Sequence, residues 1–472
     1  MTTSHKLSLP ADGPGLQVEF AGASGADGPL TWGQREIWEV LRWKGADRSA
    51  LNVKLVVDVP PGLSCEALIP VIERLVVRHE ALRTTFRADA DLGARQTVHG
   101  SGCLAVARRV HASATEPSRG TANRLAAELL HRPFGEDEFP TRWGLVVDAR
   151  NRPRHLVVAL SHLAVDGPSR NIVQRELGTL LRRGALEPRA PQPLQRVAFE
   201  QSAPGRQAHG RSLDHWRKWF ADVPSVMLRE AVPVTGGHAD AAAAMSSPAL
   251  SLGAAVLACR SGLTAPQVVL AMTSAVLGDR LGLTECGLRV LVGTRFRSGL
   301  REYVGPINQN AAVHTSWSPA DELVSYLRRA AATAVRSYLR TECDPGALMA
   351  LETEAAERRS VERGGYCFFN DLRDAHRESE PRDAPEVLGS GALAELLPRT
   401  TVVPVPYDPA MNANLFLNLI SLQDIGLLDV RIRSGFLGVT AGEFLLKLES
   451  AICEGARGNR RITVGESLDA IH

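Results

Sequence analysis

The stretch with the clearest chemical potential in this 472-residue chain runs Ala159-Leu160-Ser161-His162-Leu163-Ala164-Val165-Asp166-Gly167. His162 ends a continuous apolar run, His155–Leu160, that reads as a buried strand. A histidine there is held near a rigid edge, and its ordinary pKa of about 6.5 suits a general base near neutral pH. Gly167 lets the chain turn sharply and sets no side chain against a substrate. Asp166 either folds back to orient the loop or pairs with a distant arginine and locks the turn. By itself the trio arises readily by chance, and a lone histidine after a strand is more often packed or solvated than catalytic. The weight of the motif depends on what surrounds it.

The surrounding pattern is mixed α and β in two comparable halves. Residues 1–28 are rich in Gly, Pro and Ala and read as a flexible segment. Thr31 and Gln34 form a capping box for a helix to about Trp43. A strand is expected at Leu51–Val59, then a helix capped by Ser64 that runs into RHEALRTTFR. Residues 122–131 look helical, PFGEDEFPTRW looks like a loop, and GLVVDAR like a short strand. A helix follows the histidine motif at Ser169–Arg183. The Pro-rich stretch 185–200 is the best linker, which gives an N-terminal lobe at 29–184 and a C-terminal lobe at 201–472. In the second half, SLDHWRKWF reads as a short helix and 230–250 as a mobile loop. Thr264–Leu281 reads as a capped helix and LRVLVGTRF as a strand. Trp32, Trp38 and Trp43 are expected in the core, His79 and His155 in structural roles. The arginines at 182, 183, 189 and 196 read as a solvated helix end and linker, with contact to an acidic protein as the less favoured reading.

Composition narrows the class. Formal net charge is +2, from 54 basic and 52 acidic residues spread along the chain. That lacks the clustered basic excess of a nucleic-acid footprint. No apolar run has the roughly 18 residues of a membrane span, and the polar start lacks a secretion pattern, so neither membrane nor export is expected. Seven scattered cysteines form no Cys-x-x-Cys pair, which fits reduced thiols, a cytoplasmic location and no metal site. No Gly-x-Gly-x-x-Gly or Walker-type loop is present to bind a nucleotide.

Five stretches, PLTWGQREIW, RHEALRTTFR, PFGEDEFP, SHLAVDG and VGTRFRSGLREYVGPINQN, occur in this order. Their order and spacing resemble the condensation domains of nonribosomal peptide synthetases, within the chloramphenicol acetyltransferase-like acyltransferases. The resemblance extends from about Pro29 to Gly455. It implies two mixed-sheet lobes in a V-shaped pseudo-dimer with a central active-site tunnel.

The family motif is His-His-x-x-x-Asp-Gly, and its catalytic second histidine falls on His162. The resemblance implies that His162 deprotonates or positions the attacking amine or hydroxyl. It makes Asp166 mainly structural, paired with an arginine. Arg83 is the first candidate partner, with Arg78 and Arg295 behind it. The Gly167 N–H is the candidate to face a developing oxyanion. Ser161 replaces the first histidine and is expected to support His162 by hydrogen bonding. Thr294-Arg295 stands where the family has Asn-Arg. Asn308 and Asn310 are the candidates for a polar substrate-binding position, and YCFFND resembles a strand near the tunnel. No adenylation or carrier segment is seen, so a freestanding enzyme is expected. It would transfer an acyl or aminoacyl group from the phosphopantetheine thioester of an acyl or peptidyl carrier protein to a small amine or alcohol. The amide or ester product would belong to secondary metabolism, and no cofactor would be bound. The alternatives are an acyl-coenzyme A-dependent acyltransferase and a non-catalytic partner-binding member.

Overall fold

The computed structural model describes residues 12–23, 25–91, 93–113, 115–186, 188, 191–229, 241–361, 364–373, 390–406, 413–457 and 461–469. The chain divides into two compact units. The first comprises residues 1–207 and 293–308, the second 208–292 and 309–472.

The first unit runs β1 (Leu16–Ala21), β2 (Ala26–Pro29), α1 (Trp32–Lys44), β3 (Val53–Asp58), α2 (Ile69–Arg78), β4 (Thr84–Asp89), β5 (Gly93–Val98), β6 (Ser101–His111), α3 (Ser118–Leu130), β7 (Thr141–Asp148), β8 (Pro153–Leu160), α4 (Gly167–Leu181) and α5 (Pro193–Glu200). One sheet has the order β1-β6-β7-β8-β3 and a smaller one β2-β5-β4. β8 lies between β7 and β3, antiparallel to both. Leu156, Val158 and Leu160 on one of its faces join a core with Ile72, Leu75 and Leu177 of the flanking helices. Val157 and Ala159 on the other face pack with Leu125 and Leu129 of α3. Burial on both faces explains the unbroken apolar run before His162.

The second unit contains most of α6 (Ala203–Asp222), then β9 (Ala242–Ser247), α7 (Pro248–Ser261), α8 (Ala265–Arg280), β10 (Glu285–Gly293), β11 (Asn308–Ser316), α9 (Leu323–Tyr338), α10 (Pro345–Arg359), β12 (Cys367–Asp371), α11 (Ser390–Leu396), β13 (Thr401–Pro404), β14 (Leu415–Leu422), β15 (Gly426–Ile432), α12 (Ala441–Arg457) and α13 (Val464–Leu468). Its sheet has the order β11-β10-β12-β14-β15-β9-β13. Among the described residues no single helix is long and apolar enough to cross a membrane. The adjacent apolar pair α7 and α8 is bent by 101°, and both helices are largely buried in this core.

Several expectations are corrected. Residues 16–21 and 26–29 of the supposed flexible start are strands, held by β6 and β5 respectively; residues 1–11 lie outside the described residues. The linker contains α5, opened by a Gln192–Gln195 capping box. Its Gln192 side chain accepts from the Glu80 N–H at 2.8 Å and its Glu200 carboxylate from the Trp32 N–H at 3.0 Å, which ties it into the first unit. Of the supposed mobile loop, 230–240 lies outside the described residues, but 242–247 is a strand paired on both sides. Its small alanines look loop-like yet suit a strand packed under α12. α6 is 20 residues long rather than a short helix, and β7 begins at Thr141, inside the expected loop. Trp32 is buried, but Trp43 is 50% exposed, and Arg196 is buried against Glu200 rather than solvated.

Candidate active site

The chain leaves β8 at Ser161 and turns at once. The Ser161 carbonyl accepts from Ala164 and Val165 N–H at 3.0 and 3.1 Å, and its hydroxyl accepts from Leu163 N–H at 3.3 Å. A short hydroxyl folding back on the chain favours such a turn. Ser161 thus supports the turn that carries His162. His162 is half-buried, and its Nδ1 lies 2.8 Å from the Val165 carbonyl. A carbonyl only accepts, so Nδ1 carries a proton, and in the neutral ring the lone pair falls on Nε2. The backbone therefore selects the tautomer a base requires.

Asp166 closes the turn and caps α4. Its backbone is extended, and its carboxylate accepts from the Ser169 N–H at 2.9 Å. It is completely buried and takes both terminal nitrogens of Arg295, at 2.8 and 2.7 Å. Such two-pronged pairing uses the planar fork of arginine. Burial pushes the Asp166 carboxyl up, but Arg295 and the hydrogen bonds from Ser169 outweigh it, and its pKa lies below the ordinary 3.8. Arg295 comes from residues 293–308, which leave β10, join the first unit and return at β11. It also donates to Ser169 Oγ at 2.7 Å and to the Tyr303 and Gly305 carbonyls at 3.1 and 3.0 Å. Buried Ser169 in turn donates to the Gly305 carbonyl at 3.1 Å and accepts its N–H at 3.0 Å.

Arg83, the first candidate for Asp166, is not its partner. It is fully buried at the start of β4, beside Glu80 at 3.6 Å and bonded to the His99 carbonyl. Arg78 pairs with Glu176 at 2.9 Å, and His79 contacts the same carboxylate at 2.6 Å, a structural cluster. His155 is held by Ser118 and Asp58, both at 2.8 Å. Gly167 opens α4 in an exposed position with space around its Cα, and its N–H bonds to no described residue. Asn308 and Asn310 lie two residues apart at the start of β11, on one face of the strand. Neither lines the cavity that contains His162.

That cavity, about 420 Å³, lies wholly in the first unit. His162, Ser161 and Leu163 form one wall, and Trp38, Phe86 and Phe134 supply aromatic surface from α1, β4 and the loop before β7. Ser169 and this cavity escaped the sequence reading. Ser169 at the third position of α4 was visible as a local turn residue. Its bonds to Gly305, 136 residues away, left no local signal.

Residues 27–361 match the condensation domain family, and the chain belongs to that family. It is 24% identical over 321 residues to a chondramide synthase of Chondromyces crocatus and 26% identical over 328 residues to a phosphinothricin tripeptide synthetase of Streptomyces viridochromogenes. Each match covers 66% of this chain but only 8% and 30% of those proteins. Among solved structures, the condensation domain of the Monacolin K polyketide synthase MokA superposes with a TM-score of 0.66 at 16% identity, covering 96% of this chain and all of that one. SgcC5 of Streptomyces globisporus superposes with a TM-score of 0.65 at 15% identity, covering 90% of this chain and 99% of that one. The fold is therefore the chloramphenicol acetyltransferase-like fold of condensation domains.

Proposed function

We propose that this protein transfers an acyl or aminoacyl group from the phosphopantetheine thioester of a carrier protein to an amine or alcohol, with His162 as the base. The observation that carries this reading is the His162–Val165 hydrogen bond, which makes Nε2 the lone-pair nitrogen of the neutral ring, on a side chain that lines a cavity. The acceptor N–H or O–H gives its proton to Nε2 as the nucleophile attacks the thioester carbonyl. The new C–N or C–O bond forms and the C–S bond breaks. The same proton then passes from His162 to the departing sulfur, which leaves as a thiol. The Gly167 N–H, at the positive end of α4, is the proposed donor to the oxyanion. Asp166 and Arg295 hold the turn and take no proton.

The test presents acylated carrier proteins, and separately acyl-coenzyme A, with a pool of amines and alcohols, followed by intact-protein mass spectrometry. Acceptor-dependent unloading of the carrier, lost in His162→Ala, is the expected result. Unloading of coenzyme A alone moves the donor to the coenzyme. Activity retained in a folded His162→Ala protein removes the base.

A further inference from the structure

The cavity beside His162 has a charge pattern that the reaction alone does not require. Its body is apolar, formed by Trp38, Leu41, Leu51, Phe86, Phe134 and Leu163. Five charged residues also line it, and three of them are neutralised by neighbours. Arg42 pairs with Glu39 at 3.4 Å, Asp89 with Arg95 at 3.1 Å, and Glu138 with Arg142 at 2.6 Å. The other two are Arg48 and Glu136. Arg48 donates its Nε to the Gly45 carbonyl at 2.9 Å and meets no carboxylate of a described residue. Glu136 has no ion pair or hydrogen bond with any described residue. Both are exposed, which places them where the cavity meets solvent. An apolar pocket with a few convergent polar groups is the usual form of a small-molecule site. Here the two uncompensated groups have opposite signs.

We propose that this cavity binds a free α-amino acid with an apolar side chain. The side chain enters the aromatic body, Arg48 takes the carboxylate and Glu136 the ammonium. This rests on the reading of His162 as a base: the bound ammonium first loses a proton to solvent, and the neutral amine then gives a second to His162 as it attacks. The two charges separate this occupant from others. An aminoacyl group tethered as a thioester has no free carboxylate for Arg48. A simple carboxylic acid has no cation for Glu136.

The test measures binding, so it does not depend on turnover. Titration calorimetry on the full chain uses three probes with one ring: L-phenylalanine, its methyl ester, and 3-phenylpropanoate. The wild type binds phenylalanine most tightly. Glu136→Gln weakens phenylalanine and the ester by roughly threefold, the scale of an exposed charge pair, and spares 3-phenylpropanoate. Arg48→Gln weakens phenylalanine and 3-phenylpropanoate and spares the ester. Ala88→Trp, at an exposed lining position, weakens all three. Absence of binding, equal affinity for the three probes, or losses that ignore ligand charge overturn the proposal. His162→Ala keeps phenylalanine binding while losing acyl transfer. Binding without any acyl transfer in the wild type sinks the function reading and leaves this one standing; transfer without binding does the reverse.

Discussion

At the scale of single residues, His162 and Asp166 do different work and fail differently. Replacing His162 with Ala removes the proposed base and is expected to lower acyl transfer by about 10²–10⁴-fold while the melting temperature holds. Replacing Asp166 with Ala leaves the Arg295 guanidinium without its buried partner. The expected cost is about 3–5 kcal/mol in a urea melt at pH 7. The pH dependence has a definite sign. The folded pKa of Asp166 lies below its ordinary 3.8. The pair therefore contributes its full stability above about pH 4, and that contribution fades as pH falls through the lower folded value. The stability gap between the wild type and Asp166→Asn should narrow on acidification; a gap that stays constant between pH 7 and pH 3 denies the linkage. The motif and the turn it builds were legible because strand, histidine, aspartate and glycine sit within thirteen residues. The partner, Arg295, stood only among the later candidates, because it is 129 residues from Asp166 and Arg83 stood in a more recognisable motif.

At the scale of elements, local rules predicted what local forces build. Thr31 and Gln34 form the expected capping box at α1, with the Thr31 hydroxyl 3.1 Å from the Gln34 N–H. Thr31→Ala should lower stability by about 1 kcal/mol in thermal or urea unfolding. Inside that same first turn, Gly33 obeys a tertiary rule instead. A Cβ on Gly33 would lie 2.1 Å from the Pro306 carbonyl oxygen, so α1 can approach the 293–308 segment only through a glycine. Gly33→Ala, which a helix scale scores as a gain of about 1 kcal/mol, should instead lower the melting temperature. Helix ends announced themselves through caps. β9 did not, since its Ala and Ser residues carry no strand signal until β13, β15 and α12 surround them.

At the scale of the whole molecule, the boundary between the two units is not a cut in the sequence. The first unit takes residues 293–308 from the middle of the second. A fragment of residues 1–207 lacks Arg295 and keeps the buried Asp166 carboxylate without its guanidinium. It should aggregate or show the mobile core of an incompletely folded chain by NMR. Supplying a 293–308 peptide in trans should sharpen its spectrum. A linker at 185–200 was a fair expectation from prolines, but composition cannot show a segment that returns from a hundred residues downstream.

That return sets an order of events during synthesis. Strands and helices of the first unit leave the ribosome early and are able to collapse. The anchor for the turn at His162 is still unmade. At about 5–20 residues per second, Arg295 and Gly305 emerge roughly 5–20 s after residue 207. Through that interval Asp166 sits in a half-finished core with a charge it cannot pair. The proposed site of chemistry is thus among the last parts of its own unit to become native, and nascent chains stalled between residues 207 and 293 are those most in need of a chaperone.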